Sequence, residues 1–547
     1  MISKNSSSQF ASSCAAESKA MTKKHVVIIG AGIGGLGASG LLAKDGYRVT
    51  VLESLPNVGG RAGSWSKDGF RFDTGPSWYL MPEVFDHYFR LMGSSSAKEL
   101  KLSLLDPGYR VFFEPKGKGQ AEHVDIEVGR DKNIDMFDTI EPGSRAAVGK
   151  YLDSATETYV VAKKYFLYSS FQSLLPLFNR EVLGRIGTLV RLLTGTIWSF
   201  VGKHVKSTRA KQILGYPAVF LGASPFNAPA MFHLMSHLDL VDGVLYAQGG
   251  FTRVIHAIRD LAIKAGVVIH TNSPVTSITI DKVNGAKATG VTYRDAKGVE
   301  HTIDADIVVS GADLHFTETQ LLPDDLQTFP DTWWENKTPS PGAVLMYLGV
   351  KGKLPELLHH SLFFTEDWDE NFSQVFAKNP TMPNPASFYV CRPSATDDEV
   401  APKGHENIFV LVPCPADVTL GKGGLDSKGD TSIEEIADRT IDAIAHWAGI
   451  PDFRDRIVLR RTVGPADFQN DLNAWKGNAL GPAHTLLQSA VFRAGNVSKK
   501  VDDLYYVGSS TIPGIGLPMC LISAEVLLKR LRGDVSATPL TDVEIVS

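Results

Sequence analysis

Cysteine is scarce in this chain: Cys14, Cys391, Cys414 and Cys520 are scattered over 547 residues with no Cys-x-x-Cys pair. That pattern speaks against a disulfide framework and against a zinc site, so no metal is expected, and it favours a reducing, cytoplasmic setting. Charge of one sign is lacking as well. The 55 Lys and Arg against 60 Asp and Glu leave a formal charge of −5, which provides no basic field for nucleic acid. Residues 1–20 are rich in Ser and Ala and have neither the apolar core nor the charged start of a secretory signal. A disordered leader over 1–21 is expected, with Met21 an equally good start. No internal repeat is visible. What remains, 43% hydrophobic and 21% charged, is an ordinary globular composition, and the length exceeds a single core, so two or more subdomains are expected.

Glycine, with 50 residues, is plentiful and pointedly placed. His25-Val26-Val27-Ile28-Ile29 reads as a short buried strand, Gly30-Ala31-Gly32-Ile33-Gly34-Gly35 follows, and a small-residue helix runs to Gly46. A second apolar strand, Val49-Thr50-Val51-Leu52, ends on Glu53. A strand, a G-x-G-x-x-G turn, a helix and a strand closing on an acid form a dinucleotide site. Gly30 permits the tight turn, Gly32 lets a pyrophosphate approach, Gly34 shares the turn, and Gly35 lets the helix pack on the sheet. Glu53 can accept from a ribose hydroxyl. Beyond it, Gly59-Gly60-Arg61 and Phe70-Arg71-Phe72-Asp73-Thr74-Gly75-Pro76 suit FAD, because a guanidinium can neutralise its diphosphate with fork geometry.

The C-terminal end supplies a matching half. Leu504-Tyr505-Tyr506-Val507-Gly508-Ser509 reads as a strand into a turn, followed by Pro513-Gly514-Ile515-Gly516-Leu517-Pro518 and a helix beginning near Met519. Such a turn and helix start present backbone N–H groups to the flavin side chain and diphosphate. GAGIGG…E…GGRAGSW…GFRFDTGPSWYLMPEVF at one end and LYYVGSSTIPGIGLPMCLISAEVL at the other resemble phytoene desaturases of the bacterial and fungal type. The stretches YPAVFLGASP from Tyr216, DLVDGVLYAQGG from Asp239 and ADFQNDLNAW from Ala466 resemble them too, so the likeness spans 24–532. It implies an α/β (mixed α+β) protein: a glutathione-reductase-like, FAD-binding Rossmann domain with an interleaved domain for substrate and membrane association. The FAD-binding domain is expected at 22–90, 245–315 and 500–532, the second domain at 91–244 and 316–499, and a flexible tail at 533–547. The cofactor-binding set is Gly30, Gly32, Gly34, Gly35, Glu53, Gly60, Arg61, Gly508, Ser509, Gly516, Pro518 and Met519. To it the resemblance adds Val275, on the strand that lies beside the adenine in related flavoproteins. The implied activity is stepwise desaturation of phytoene to lycopene in carotenoid biosynthesis.

The stretch 165–204 is rich in apolar and aromatic residues, with bases at Arg180, Arg185, Arg191 and Lys203. Ile186, Leu189, Val190, Leu193, Ile197, Phe200 and Val201 recur at helical steps and are expected on one face. Arginines interrupt the run too often for a transmembrane helix, but a basic amphipathic helix suits peripheral contact with a lipid bilayer. A forty-carbon polyene gains tens of kcal/mol by leaving water, at roughly 0.8 kcal/mol per buried CH₂. Its enzyme must therefore collect substrate from a membrane into an apolar tunnel, for which Trp78, Tyr79, Phe220, Phe226, Phe232 and Tyr246 are candidate walls. Oxidation of a –CH₂–CH₂– unit means hydride transfer to the flavin and loss of a proton from the neighbouring carbon. Arg180 and Glu181 resemble an Arg-Asp pair placed near the active site in the family, with Glu in place of Asp, and are the catalytic candidates. Quinone or oxygen would reoxidise the flavin. His233 and His237 stand four apart without a third ligand, which makes them structural, and His359-His360 read as loop residues. A desaturase of a shorter or modified carotenoid, a carotene isomerase or ketolase, an amine oxidase, or a non-enzymatic protein retaining the nucleotide fold are the alternatives.

Overall fold

The computed structural model describes residues 23–117, 119–173 and 180–541. The leader expected over 1–21 and the last six residues of the tail lie outside them.

The opening strand His25–Ile29 is buried along its whole length because it is the middle strand of a parallel sheet covered on both faces. The strand order is Leu504–Tyr506, Ile307–Ser310, His25–Ile29, Arg48–Leu52, Val268–His270. Strands from both ends and the middle of the chain thus meet in one sheet, and their C-terminal ends form one edge. The helix Ile33–Lys44 packs on this sheet between the helices Gly250–Lys264 and Leu517–Leu531. Its small residues are what permit the approach: a Cβ on Gly37 would meet the Leu521 side chain at 3.0 Å.

A hairpin turns around Asn284-Gly285, a residue pair that favours tight turns. Val275–Asp281 and Lys287–Arg294 pair antiparallel, and Glu300–Asp304 adds a third strand. A separate seven-stranded sheet runs Ile457–Val463, Gly342–Lys351, His405–Cys414, Phe388–Cys391, His360–Phe364, Tyr109–Phe113, His123–Ile126. All its neighbours are antiparallel except the pair His360–Phe364 and Tyr109–Phe113, which is parallel. The helix Thr431–Trp447 covers one face with Ile433, Ile436, Ile441 and Ile444 against Val344, Met346, Val410 and Val412.

The run from Ile186 to Val201 is not the single amphipathic helix its periodicity predicts. One helix covers Ile186–Thr194, the chain breaks at Gly195, and Thr196 starts Ile197–Val201 with a capping box to Ser199. The apolar face is split accordingly. Ile197, Phe200 and Val201 are core, whereas Ile186 and Val190 stay 54% and 53% exposed.

Asp73, within the early FDTGP motif, fastens the helix Gly250–Lys264 to the N-terminal segment. Its carboxylate accepts from the N–H of Phe251 at 2.7 Å and of Thr252 at 3.0 Å, and from the Thr252 hydroxyl at 2.7 Å. Gly250, at φ +68°, wraps so closely that a Cβ there would touch the carboxylate. Asp73→Ala strands three donors and is expected to lower the unfolding free energy by about 2–4 kcal/mol, read from urea denaturation of the flavin-free protein.

Candidate functional site

At the C-terminal edge of the parallel sheet, the turn 30–35 leads into the helix Ile33–Lys44, whose N-cap Gly32 carries no side-chain cap. The helix Leu517–Leu531 also starts without one, behind Gly516 at φ +121°. Both starts line one cavity of about 540 Å³. The two turns touch: a Cβ on Gly34 would lie 3.0 Å from Gly508 Cα. At Gly32 and Gly508, by contrast, a Cβ would meet nothing within 4 Å; the backbone there faces open space. Two uncapped helix N-termini with bare backbone before them form an anion site.

Arg61 completes it. The guanidinium lines the cavity, and its buried Nε and Nη2 have no hydrogen-bond partner; Asp313 Oδ2 stands 3.7 Å from Nη2. Glu53 is buried at the end of its strand. Its Oε2 accepts the Ala31 N–H at 2.6 Å and its Oε1 the Leu55 N–H at 2.9 Å, which fixes the carboxylate and leaves lone pairs for a ribose hydroxyl. An orphaned guanidinium, an oriented acid and open glycine backbone fit the adenine-ribose-diphosphate portion of FAD.

The structure brings Gly30, Gly32, Gly34, Glu53, Gly60, Arg61, Gly508, Ser509, Gly516, Pro518 and Met519 together on this cavity. Four candidates fall elsewhere. Gly35 is packed under the turn, where a Cβ would sit 2.1 Å from the Gly30 carbonyl oxygen, so it shapes the site without reaching it. Val275 is buried in the core with Val27, Ile29 and Leu52, and Ser54 and Leu55 line the cavity beside Glu53. Arg180 and Glu181 do not line the cavity. Arg180 is exposed, and Glu181 accepts from Lys164 Nζ at 2.8 Å and the Tyr165 hydroxyl at 2.5 Å, contacts that hold its carboxyl below the usual range.

Beyond the nucleotide end the same cavity becomes apolar. Trp78, Phe220 and Phe232 form wall as expected, joined by Tyr216, Phe364 and Tyr389. Tyr79, Phe226 and Tyr246 do not reach it: Tyr79 stacks on Phe85 at 4.5 Å, Phe226 packs on Trp198 at 4.8 Å, and Tyr246 donates to Asp397 at 2.9 Å. Glu53, Arg61 and Asp313 belong to the nucleotide end, so Asp471, at an exposed position, is the remaining charged residue on the lining. Phe364 and Tyr389 come from the seven-stranded sheet, whose partners are set by long-range pairing that composition does not announce.

His233 and His237 carry local hydrogen bonds. His233 meets Ser154 Oγ at 3.0 Å and the Ala230 carbonyl at 2.8 Å; His237 meets Thr156 at 3.1 Å. His359 and His360 are buried at the start of the strand His360–Phe364 rather than in an exposed loop.

Behind Tyr216 lies a buried carboxyl missed at the level of sequence. Asp239 Oδ2 accepts from the hydroxyls of Tyr109 and Tyr216, each at 2.8 Å. Burial pushes its pKa up to about 7 against the pull of those two donors. The protonated form is thus favoured by folding. Its contribution is full below the ordinary carboxyl range and is lost as pH rises through 7. Asp239→Asn keeps an acceptor without ionising, so its melting temperature is expected to gain on that of the unsubstituted protein between pH 5 and pH 8, as read by calorimetry at ~1-unit steps.

A pair of glycine variants separates binding from folding. Gly32→Ala is expected to leave the flavin-free protein as stable as before and to weaken FAD binding by about 10-fold or more, since the methyl fills the diphosphate approach. Gly35→Ala is expected to destabilise the flavin-free protein as well. Fluorescence titration with FAD and thermal melting read the two effects. Arg61→Met is expected to cost about 1.5–3 kcal/mol of FAD affinity, the worth of hydrogen bonds to a charged group.

The comparisons with known proteins agree with this geometry. The signature of flavin-containing amine oxidoreductases matches residues 33–525. The chain is 38% identical over 516 residues to a carotenoid 3,4-desaturase of Haloarcula japonica, covering 94% of this chain and 99% of that one. It is 31% identical over 527 residues to a phytoene desaturase of Fusarium fujikuroi, covering 94% and 90%. An oxidoreductase from Methanosarcina mazei shares the fold at 16% identity, with a TM-score of 0.58 over 92% of this chain and 100% of that one. A cavity with an FAD end and an apolar end, in a chain so similar along its whole length to such enzymes, has one reading: the chain belongs to the flavin-containing amine oxidoreductases and, within them, is an FAD-dependent carotenoid desaturase.

Proposed function

We propose that the chain desaturates a linear forty-carbon carotenoid, with phytoene as substrate and lycopene as the end of the series. The observation that carries this is the apolar half of the cavity, continuous with the FAD end and bearing no charge beyond Asp471 at an exposed position. FAD, which Gly32, Glu53, Arg61 and Gly508 would hold, would supply the hydride-accepting chemistry. The residues of the chain hold the polyene and exclude water: Trp78, Phe220 and Tyr389 flank it with rings, and no ion pair competes for the space. An allylic cation spreads its charge over the polyene, so the proton leaves without a strong base, which accords with the absence of Arg180 and Glu181 from the lining. Quinone dissolved in the bilayer or molecular oxygen serves as electron acceptor.

A second reading, attack at the 3,4 position of an already conjugated carotenoid, is favoured by the 38% identity to a protein of that name. Expression in two bacterial hosts, one accumulating phytoene and one lycopene, separates the readings. Phytoene disappearing with red pigment formed supports the first. Phytoene unchanged with lycopene converted to a more conjugated pigment supports the second, and flavin-loaded protein that alters neither pigment overturns both.

Membrane contact belongs to the same proposal. No helix among the described residues is long and apolar enough to span a bilayer. Exposed apolar side chains instead flank one stretch of cavity wall: Ile186 and Val190 on one side, Leu487 and Phe492, 66% and 56% exposed, on the other. The segment Ala230–Leu234 packs beneath the helix Ile186–Thr194, and its Phe232 meets His484 at 5.3 Å, which joins the two. Replacing all four with Ser is expected to reduce flotation with anionic liposomes several-fold while leaving FAD content unchanged. Undiminished flotation would reject these side chains as the contact.

A further inference from the structure

Outside the flavin cavity, the described residues hold one cluster with metal-ligand chemistry. One ligand atom each from His359, His360 and Cys391 lies within 4.8 Å of the others, and all three side chains are buried. The spacing in sequence gives no hint of it, because His359-His360 and Cys391 meet only through sheet pairing. His360 and Cys391 are direct cross-strand partners in the antiparallel pair His360–Phe364 and Phe388–Cys391, and the Arg392 N–H donates to the His359 carbonyl at 2.8 Å just outside it.

The hydrogen bonding of the two rings points the same way. His359 Nδ1 is 2.8 Å from the Thr396 hydroxyl, and His360 Nδ1 is 2.7 Å from the Tyr389 hydroxyl. The Nε2 atom of each ring is buried and has no partner. A ring whose Nδ1–H is given to an oxygen presents a lone pair at Nε2, the arrangement by which outer partners orient metal-bound histidines. Two such nitrogens left unpaired would carry an uncompensated desolvation penalty. His359 and Cys391 also border a second, small cavity of about 20 Å³, room for one water or one ion. Asp73 lines that cavity too, a carboxylate able to offset added positive charge.

We propose that His359, His360 and Cys391 bind a borderline-soft divalent transition metal, zinc being the first candidate, as a clip between the two strands. The donor set is two imidazoles and one thiolate, which suits zinc and excludes magnesium and calcium as the preferred ion. On coordination the Cys391 thiol loses its proton to solvent; no electron is transferred and the metal keeps its valence. The clip would act on the flavin cavity indirectly. His360 bonds Tyr389, whose hydroxyl lies 2.6 Å from Ser77 Oγ, and Tyr389 and Ser77 both line the flavin cavity. A metal on His360 would thereby fix the position of a wall tyrosine.

The test uses FAD-loaded full-length protein from zinc-supplemented cells, purified without chelator. Plasma mass spectrometry should find close to one zinc per chain, and zinc-edge absorption should show a nitrogen-and-sulfur shell. Protein refolded with Co(II) should show a thiolate-to-cobalt charge-transfer band that survives Cys414→Ser and Cys520→Ser and disappears in Cys391→Ser. Because Cys391→Ser alters a buried position, His359→Gln serves as a second variant, expected to lower zinc affinity about 10–100-fold. Protein that retains no zinc, or whose zinc has a shell without sulfur, overturns the proposal, and an ordered water then accounts for the two nitrogens. Neither result bears on carotenoid turnover, so the desaturase reading stands or falls separately.

Discussion

Two helices begin at the same cavity without side-chain caps, and the half-buried Arg61 guanidinium beside them has two nitrogens without a hydrogen-bond partner. The fold has placed positive ends together in a partly dry space. Helix termini leave orphan N–H groups, and Asp313, 3.7 Å from the guanidinium, is too far to accept a hydrogen bond from it. An anion suits such a place, and the diphosphate of FAD provides one. The requirement reaches across the molecule, because the groups come from 30–34, 61 and 508–519, segments held together by the strand pairs His25–Ile29 with Ile307–Ser310 and Ile307–Ser310 with Leu504–Tyr506. Cofactor binding and closure of the chain on itself are therefore linked, and FAD stabilises the fold by mass action on the native state alone.

Charge is sorted along the cavity with the same economy. Apart from Asp471, at an exposed position, its ionic groups sit at the nucleotide end, while the substrate end is built of Trp78, Phe220, Phe232, Phe364 and Tyr389. Polar functions near the substrate end are turned away from it. Tyr216 presents its ring to the cavity and its hydroxyl to Asp239 behind; Tyr389 does the same toward Ser77 and His360. An amphipathic ring can face an apolar ligand and still satisfy its hydroxyl, so these tyrosines line a dry wall without leaving a polar atom exposed to it.

How much of this is legible in the sequence depends on the range over which each feature is determined. The turn at Gly30 to Gly35, Glu53 and Arg61 are local patterns, set by which residues a tight βα turn tolerates, and they land on the site. The hairpin at Asn284-Gly285 is local in the same way. Side-chain direction across a long-range sheet is not. Trp78 lines the cavity while its neighbour Tyr79 faces the core, because successive residues of extended chain point to opposite sides, and no composition rule says which. Val275 likewise has its side chain in the core. The helix expected from Ile186 to Val201 is misjudged because a 3.6 periodicity continues through Gly195, where the helical backbone does not. The burial of His359 and His360 depends on Thr396 and Tyr389, hydroxyls reached only after the sheet has formed.

The displacement of Arg180 and Glu181 from the cavity narrows how catalysis can work. An acid or base at the reacting carbons would have to be desolvated, and burying an isolated carboxylate costs far more than a weak C–H acid repays. Among the described residues the lining avoids that cost, because Asp471, its one carboxylate outside the nucleotide end, is at an exposed position. The reaction then draws its driving force from the bound cofactor and from delocalisation along the polyene, and the protein contributes position and dryness. Substrate choice follows from the same economy. With no charge to recognise, discrimination between carotenoids rests on length and shape against a wall of rings, where a single methylene is worth only about 1–3 kcal/mol. Enzymes so built can differ in the bond they oxidise while sharing nearly every residue that makes them desaturases.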